Sequence, residues 1–375
     1  MRKTYRVAVV GATGKGDYGH GLDTAFFEVD RAQIVALADQ DPRGREAASR
    51  RLGVDRQYAD YREMIERERP DIVSIGPRWI TERVAMVEAA AGAGCHVYCE
   101  KPFAARLLDA DRMIARCTAA KVKLAMAHQW RAMPPVQKAL ADVRAGKYGK
   151  LLRMRARPKD DRRGGGEELL VHGTHWFDLM IAFAGPPRWA SGHVAVGGRD
   201  ATRDDAHEGT VPVGPIAGDS IAAMFGFDDG VRGYFDSTAN LSPPADGRFD
   251  HLYGLQLECA EAMLQLRQPG DVYVYPAPVV LPDFTDLAWE KIWVEPWHFT
   301  PEHQQRDVRT TWLREGNTVL ANDLIDAIEN DGEPLSGVRN AQSITEMVEG
   351  VYASHFADGR RLSIPLADRR HPLDA

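Results

Sequence analysis

The sequence predicts an α/β protein of two domains. The first is a doubly wound parallel sheet over residues 1–127, and the second, over 128–375, is an α+β domain built on a large, mostly antiparallel open sheet. Three observations predict this. At 375 residues the chain exceeds the size at which one core keeps growing. Its first third alternates short β-branched runs with helical stretches of ten or more residues, and parallel strands need such crossovers. Beyond His128 the texture changes to runs of strands.

Tyr5 to Val10 is a β-branched run that ends at Gly11, and Gly14 and Gly16 follow before a stretch, Gly19 to Val29, that reads as helical. A second run, Gln33 to Ala38, ends in Asp39, and Asp41 with Pro42 is a helix N-cap followed by proline at the first helical position. The alternation repeats as helix 60–69, strand 71–75, helix 81–93, strand 96–99, helix 106–120 and strand 123–127. The second domain reads as helix 136–145, strand 151–156, one helix from Leu169 to Phe183, and strands at 189–196, 220–227, 232–236, 252–260, 263–267 and 272–275. Segments 197–218 and 276–301 are irregular, and helices near 317–330 and 341–356 close the chain. Loops this long in a compact domain are functional or mobile.

Composition narrows the class. The hydrophobic share is 44% and the charged share 27%, with no run of 18 apolar residues, so neither disorder nor a membrane span is indicated. The opening residues run into a short strand without a signal peptide's long apolar region, so a cytoplasmic location is expected. Cys95, Cys99, Cys117 and Cys259 show no metal or CxxC spacing and are expected to be reduced and buried. A net charge of -7 gives no footprint for nucleic acid. Small molecules are the expected partners.

Gly11, Ala12, Thr13, Gly14, Lys15 and Gly16 form a G-x-x-G-x-G turn, with Thr13 where a second glycine usually stands. After a strand, such a turn lets backbone approach a pyrophosphate. A plain glycine-rich turn is the competing reading. Asp39 ends the second strand, where a carboxylate accepts hydrogen bonds from the adenosine ribose and favours NAD over NADP. Arg43, able to accommodate a 2′-phosphate, leaves NADP open; it also reads as a solvated first-turn residue.

Glu100, Lys101 and Pro102 close the strand 96–99 at the carboxyl edge of the sheet, where ligands bind. Lys101 is either a surface lysine or a proton-handling group whose pKa a nearby nicotinamide and burial would lower. The second chemical cluster runs from Gly164 to Asp178. On one helix, His172 and His175 share a face, as do His175 and Asp178, so an imidazole can be oriented by a neighbour. A metal site is a weaker alternative, because His172 and Asp178 drift apart around the helix, and His172 also reads as a core histidine. Arg153, Arg155 and Arg157 alternate on a strand and read as a solvated sheet face. Trp297, His298 and His303 read equally as sugar-stacking or packing residues, whereas Trp130 and Arg131, just past the sixth strand, are better placed for substrate.

Together these residues resemble the glucose-fructose oxidoreductase, inositol dehydrogenase and rhizopine-catabolism (Gfo/Idh/MocA) family. The resemblance runs from the glycine turn and Asp39 through Glu100-Lys101-Pro102, Arg131 with Pro134 and Gly146 to Leu151. It continues through Gly173 with His175 and Asp178 to the closing strand near Leu362. It implies a Rossmann domain, a substrate domain whose open sheet joins a homodimer or homotetramer, a nicotinamide cofactor and a sugar or polyol substrate. By the family's pattern His175 handles the hydroxyl proton and Lys101 binds that oxygen. Trp130, Arg131, His172 and Asp178 contact substrate. Gly11, Thr13, Gly14, Lys15, Gly16, Asp39, Pro77, Glu100 and Lys101 hold the cofactor. The sequence departs at Thr13, at Gly76 before Pro77, where threonine is common, and at Val171, which replaces an aspartate four residues before His175. That last loss points to a different substrate, with His172 substituting in part. Hydride transfer from a secondary alcohol is the expected reaction. A redox-neutral NAD-dependent glycosidase or lyase and a non-catalytic sensor are the alternatives.

Overall fold

The computed structural model describes residues 3–241, 253–267, 270–278, 288–300, 302–306 and 312–374. Two compact units emerge. The first gathers residues 1–132, 211–214 and 313–342, and the second gathers 133–210, 215–312 and 343–375.

The first unit is a six-stranded parallel sheet of β1 (Tyr5–Val10), β2 (Ala32–Ala38), β3 (Gln57–Tyr58), β4 (Ile72–Ile75), β5 (His96–Cys99) and β6 (Leu124–Met126), in the order β3-β2-β1-β4-β5-β6. Successive side chains point to opposite faces, and both faces are buried. Ala8, Val10, Val73 and Val97 pack under α2 (Tyr61–Glu68), α3 (Arg83–Gly92) and α4 (Leu107–Ala120). Tyr5, Val7, Ile72 and Tyr98 pack against Leu22 and Phe26 and against Leu320, Leu324 and Ile325 of the helix Trp312–Glu329. The cap foreseen at α1 (Pro42–Leu52) is present, with the Gly44 N–H donating to the Asp41 carboxylate at 2.6 Å.

The sequence reading of a helix over Gly19 to Val29 is corrected. Residues 18–28 form a chain of irregular turns. Gly19 and Gly21 take φ values of 63° and 81°, outside the helical region. The segment is held by buried side chains instead: Asn317 donates to the carbonyls of His20 and Gly21 at 2.9 and 3.3 Å, while its own oxygen accepts from the Tyr98 hydroxyl and the Gln129 amide.

The second unit carries a ten-stranded mixed sheet. Its path runs through Glu290–Lys291, Asp271–Tyr275, Met263–Arg267, Gly254–Cys259, Leu151–Arg157, Arg232–Thr238, Ser220–Gly226, Trp189–Val196 and Leu362–Ser363, with Arg199–Asp200 pairing beside Trp189–Val196. Among the described residues only the central pair, Leu151–Arg157 with Arg232–Thr238, is parallel. One face is covered through Phe177, which meets Phe225 and Phe235 edge-on or tilted at 5.1 and 5.3 Å. The arginines sit on the other face, where Glu258 bridges Arg153 and Arg155 across the strands at 2.6 and 2.7 Å.

The single helix expected from Leu169 to Phe183 is in fact two, α5 (Gly166–Val171) and α6 (Gly173–Ala184), joined at His172. The His175 N–H reaches the His172 carbonyl at 3.0 Å, a tightened three-residue turn, and Gly173 supplies the weak helix former at the joint. All four cysteines are free and buried. Leu252 and Pro301, which bound two of the expected segments, lie outside the described residues.

Candidate functional site

In the first unit the turns after β1, β2, β4 and β5 all open at the carboxyl end of the sheet, where the strand order reverses between β1 and β4. A hollow there is lined by Gly11, Ala12, Lys15, Asp39, Gln40 and Trp79 among others. The glycine turn closes on itself, with Ala12 and Asp17 exchanging backbone hydrogen bonds at 3.0 Å and Gly14 N–H donating to the Asp17 carboxylate at 2.9 Å. Gly14, at φ 79°, has no atom within 4 Å of where a side chain would begin, so the turn's outer surface admits a ligand. Lys15 stands exposed beside it. These residues fit a dinucleotide, with a basic group for the pyrophosphate and an acidic corner for a ribose.

The acidic corner is Asp39, only 2% exposed. Its carboxylate accepts from the Thr13 N–H at 3.1–3.2 Å, the Thr13 hydroxyl at 2.7 Å and the Asp41 N–H at 3.0 Å. Burial, then the Asp39 charge, pushes the neighbouring Tyr18 phenol up. Tyr18 fills the space over Gly11, where a Cβ would overlap its ring.

Glu100 is fully buried, and its carboxylate gathers three donors: the His20 N–H at 2.7 Å, the His20 ring at 3.0 Å and the Lys101 N–H at 3.0 Å. Burial alone would raise this carboxyl. The His20 charge and hydrogen bonds, with the Lys101 charge, outweigh burial and hold it at about 2. Arg83, also buried, clamps the same loop by donating to the carbonyls of Glu100, Pro102 (2.7 Å) and Pro77 (2.6 Å). Lys101, 5% exposed, thus extends from backbone fixed on both sides. Trp130 and Arg131 are buried in this unit, and Arg131 donates to the Leu335 carbonyl at 3.0 Å.

In the second unit the junction of α5 and α6 carries His172, and His175 and Asp178 follow on α6, all buried. Glu168, completely buried one turn before His172, bonds its Nδ1 at 2.5 Å. That contact places an Nδ1 proton toward the carboxylate, which accepts it. Tyr253 packs edge-on against His172 and Trp176, its phenol pushed well up by burial and by Glu168. His298, itself buried, faces Asp271 at 3.0 Å while its Nδ1 accepts the Val294 N–H. Among the described residues no three His, Cys, Asp or Glu side chains group as a metal ion would require.

A family model described as an oxidoreductase family with an NAD-binding Rossmann fold (GFO_IDH_MocA) matches residues 5–128. Residues 5–128 thus match the NAD-binding unit of the Gfo/Idh/MocA oxidoreductase family. D-apiose dehydrogenase of Paraburkholderia graminis is 35% identical over 147 residues, 39% of this chain and 38% of that one. The chain thus matches about two fifths of the length of that relative. The rhizopine catabolism protein MocA of Rhizobium meliloti is 26% identical over 291 residues, 74% of this chain and 86% of that protein. Among solved structures, levoglucosan dehydrogenase in complex with NADH and L-sorbose aligns over 97% of this chain and 100% of its own at a TM-score of 0.75 and 20% identity, a likeness of fold.

Within the matched residues 5–128, the sequence placed the glycine turn, Asp39, Pro77, Glu100 and Lys101 at strand ends, and all five stand at the carboxyl edge. Four partners went unforeseen: His20, Arg83, Asn317 and Glu168. His20 meets a carboxylate 80 positions away and Asn317 a carbonyl 297 positions away, so no local pattern could signal them. Glu168 had a legible signal, since it precedes His172 by four residues on a helix.

Proposed function

We propose that the protein is an NAD-dependent oxidoreductase acting on a secondary hydroxyl of a sugar, polyol or related compound. The observation that carries this reading is Lys101, buried just past β5 at the carboxyl edge of an NAD-binding Rossmann sheet and fixed by Glu100 and Arg83. The relatives' names, D-apiose dehydrogenase and myo-inositol 2-dehydrogenase, support the substrate class. When bound, the nicotinamide supplies the hydride acceptor. Lys101 donates to the substrate oxygen and stabilises its developing charge. His175 takes the hydroxyl proton. Glu168 orients His172, which gives the substrate unit a second imidazole of defined tautomer where Val171 offers no carboxylate. Asp178, Trp130 and Arg131 complete the substrate contacts. In the same reading the outward face of the ten-stranded sheet joins copies into a dimer or tetramer, and the protein works in the cytoplasm.

The test follows reduced-nicotinamide absorbance across a panel of sugars, inositols and glycosides. His175→Ala and Lys101→Ala should each lower turnover by at least about a hundredfold, the scale of one positioned acid or base, with NAD binding retained. Full turnover in both variants would remove the assignment. Substrate conversion without net NADH would point to redox-neutral chemistry.

A further inference from the structure

We infer that a hollow of the second unit, sharing no residue with the candidate site, binds a small organic carboxylate with an apolar, ring-sized body at Arg203. Such a site is independent of the proposed oxidoreductase function.

The hollow measures about 400 Å³, a volume within the range of small-molecule pockets. Its wall is mostly apolar, with Phe356, Leu362, Pro365, Leu366, Ala367 and Pro372. The charged lining residues are Arg203, Asp368 and Arg370. Arg370 bonds both oxygens of Asp368, at 3.1 and 2.7 Å, so those two charges cancel. Arg203 is placed differently. Its Nε donates to the Pro372 carbonyl at 3.1 Å and its guanidinium lies 4.5 Å from the centre of the Phe356 ring, and among the described residues no carboxylate pairs with it. Asp204, the next residue, is exposed and does not line the hollow. One net positive charge therefore stands over an apolar wall. Pinned at Nε and stacked on one face, Arg203 keeps Nη1 and Nη2, a pair that grips a carboxylate with two parallel bonds. A phosphate monoester would bring nearly twice the charge that the hollow offsets, and a neutral polyol would meet mainly apolar wall. A monocarboxylate is the class that fits.

The surroundings are fixed before any ligand arrives. The turn Arg203–Asp205 is held by Asp205, which accepts from the Thr202 N–H at 2.7 Å, the Thr202 hydroxyl at 2.9 Å and Arg199 at 2.6 and 2.8 Å. On the C-terminal side the Leu366 N–H donates to the buried Glu346 carboxylate at 2.7 Å, and the Ser354 hydroxyl donates to the Arg360 carbonyl at 2.7 Å. A wall already ordered spends little binding energy on ordering.

The experiment is titration calorimetry of naphthoate against the full chain and two variants, with NAD in excess to occupy the nucleotide hollow. The unaltered protein should bind naphthoate saturably, one molecule per chain. Arg203→Gln, which removes charge and fork from an exposed side chain, should weaken binding at least about tenfold, the scale of a hydrogen bond to a charged group. Ala367→Phe, which fills the hollow and leaves Arg203 in place, should weaken it by a similar factor. Naphthamide and inorganic phosphate, which offer the ring and the anion separately, should each bind at least about tenfold more weakly than naphthoate. Absence of saturable naphthoate binding, an unchanged affinity in either variant, or an equal affinity for naphthamide or phosphate overturns the inference, and each of these results leaves the oxidoreductase reading standing.

Discussion

Replacing Gly19 by alanine should destabilise the first unit far more than the same change at Gly14, although both glycines have positive φ, 63° and 79°. The backbone term is shared, about 1–2 kcal/mol for a Cβ in the left-handed region. At Gly14 nothing lies within 4 Å of the new atom, so that term is the whole effect. At Gly19 the Cβ would overlap a Glu100 carboxylate oxygen and the Gly76 carbonyl. Because both overlap, relief requires Glu100 to release the His20 N–H, a charge-assisted bond of about 1.5–3 kcal/mol, and Gly76 to move off the Val10 carbonyl it bonds at 2.9 Å, about 1 kcal/mol more. Gly19→Ala should therefore fall about 3 kcal/mol below Gly14→Ala. At about 2–4 °C per kcal/mol for a domain of this size, that is a gap of about 6–12 °C in Tm. Thermal unfolding followed by circular dichroism measures it. Equal melting temperatures for the two variants would refute the reasoning, because they would mean that Glu100 and Gly76 do not crowd this turn.

Asn317→Ala should cost about 3–5 kcal/mol in urea unfolding, since it strands the Tyr98 hydroxyl and Gln129 amide as buried donors and the His20 and Gly21 carbonyls as acceptors; a loss under about 1 kcal/mol would show that water replaces the amide. Glu100, held at about 2, binds its proton less readily folded than unfolded, so its stabilising contribution is complete above the ordinary carboxyl range near pH 4.3 and is lost as pH falls through about 2. Stability measured against pH should accordingly fall less steeply below about pH 4.3 in Glu100→Gln than in the unaltered protein, and parallel acid limbs would contradict the assignment of that shift. Glu168→Gln should leave the fold intact and alter the pH profile of turnover, since an amide no longer fixes the His172 proton on Nδ1 as a carboxylate does; an unchanged profile would confine Glu168 to packing.

The sequence alone determined whatever depends on near neighbours along the chain. Alternating apolar strands and amphipathic helices specify a parallel sheet, Asp41 with Pro42 specifies a helix start, and the placement of Asp39 and Lys101 just past apolar runs puts them at strand ends, since strand geometry is a local property. Only the tertiary structure decided what those side chains meet. The stretch after the glycine turn has helical composition, yet Gly19 must pass close to Gly76 and Glu100, and Asn317 from a helix nearly 300 residues on takes its carbonyls. Likewise the helix Trp312–Glu329 covers the first sheet although the intervening chain builds the second. Hydrogen bonds and close packing act through space, and a buried carboxylate such as Asp39 or Glu100 takes its donors from whichever backbone the fold brings within about 3 Å. Periodicity in the sequence carries no record of that proximity.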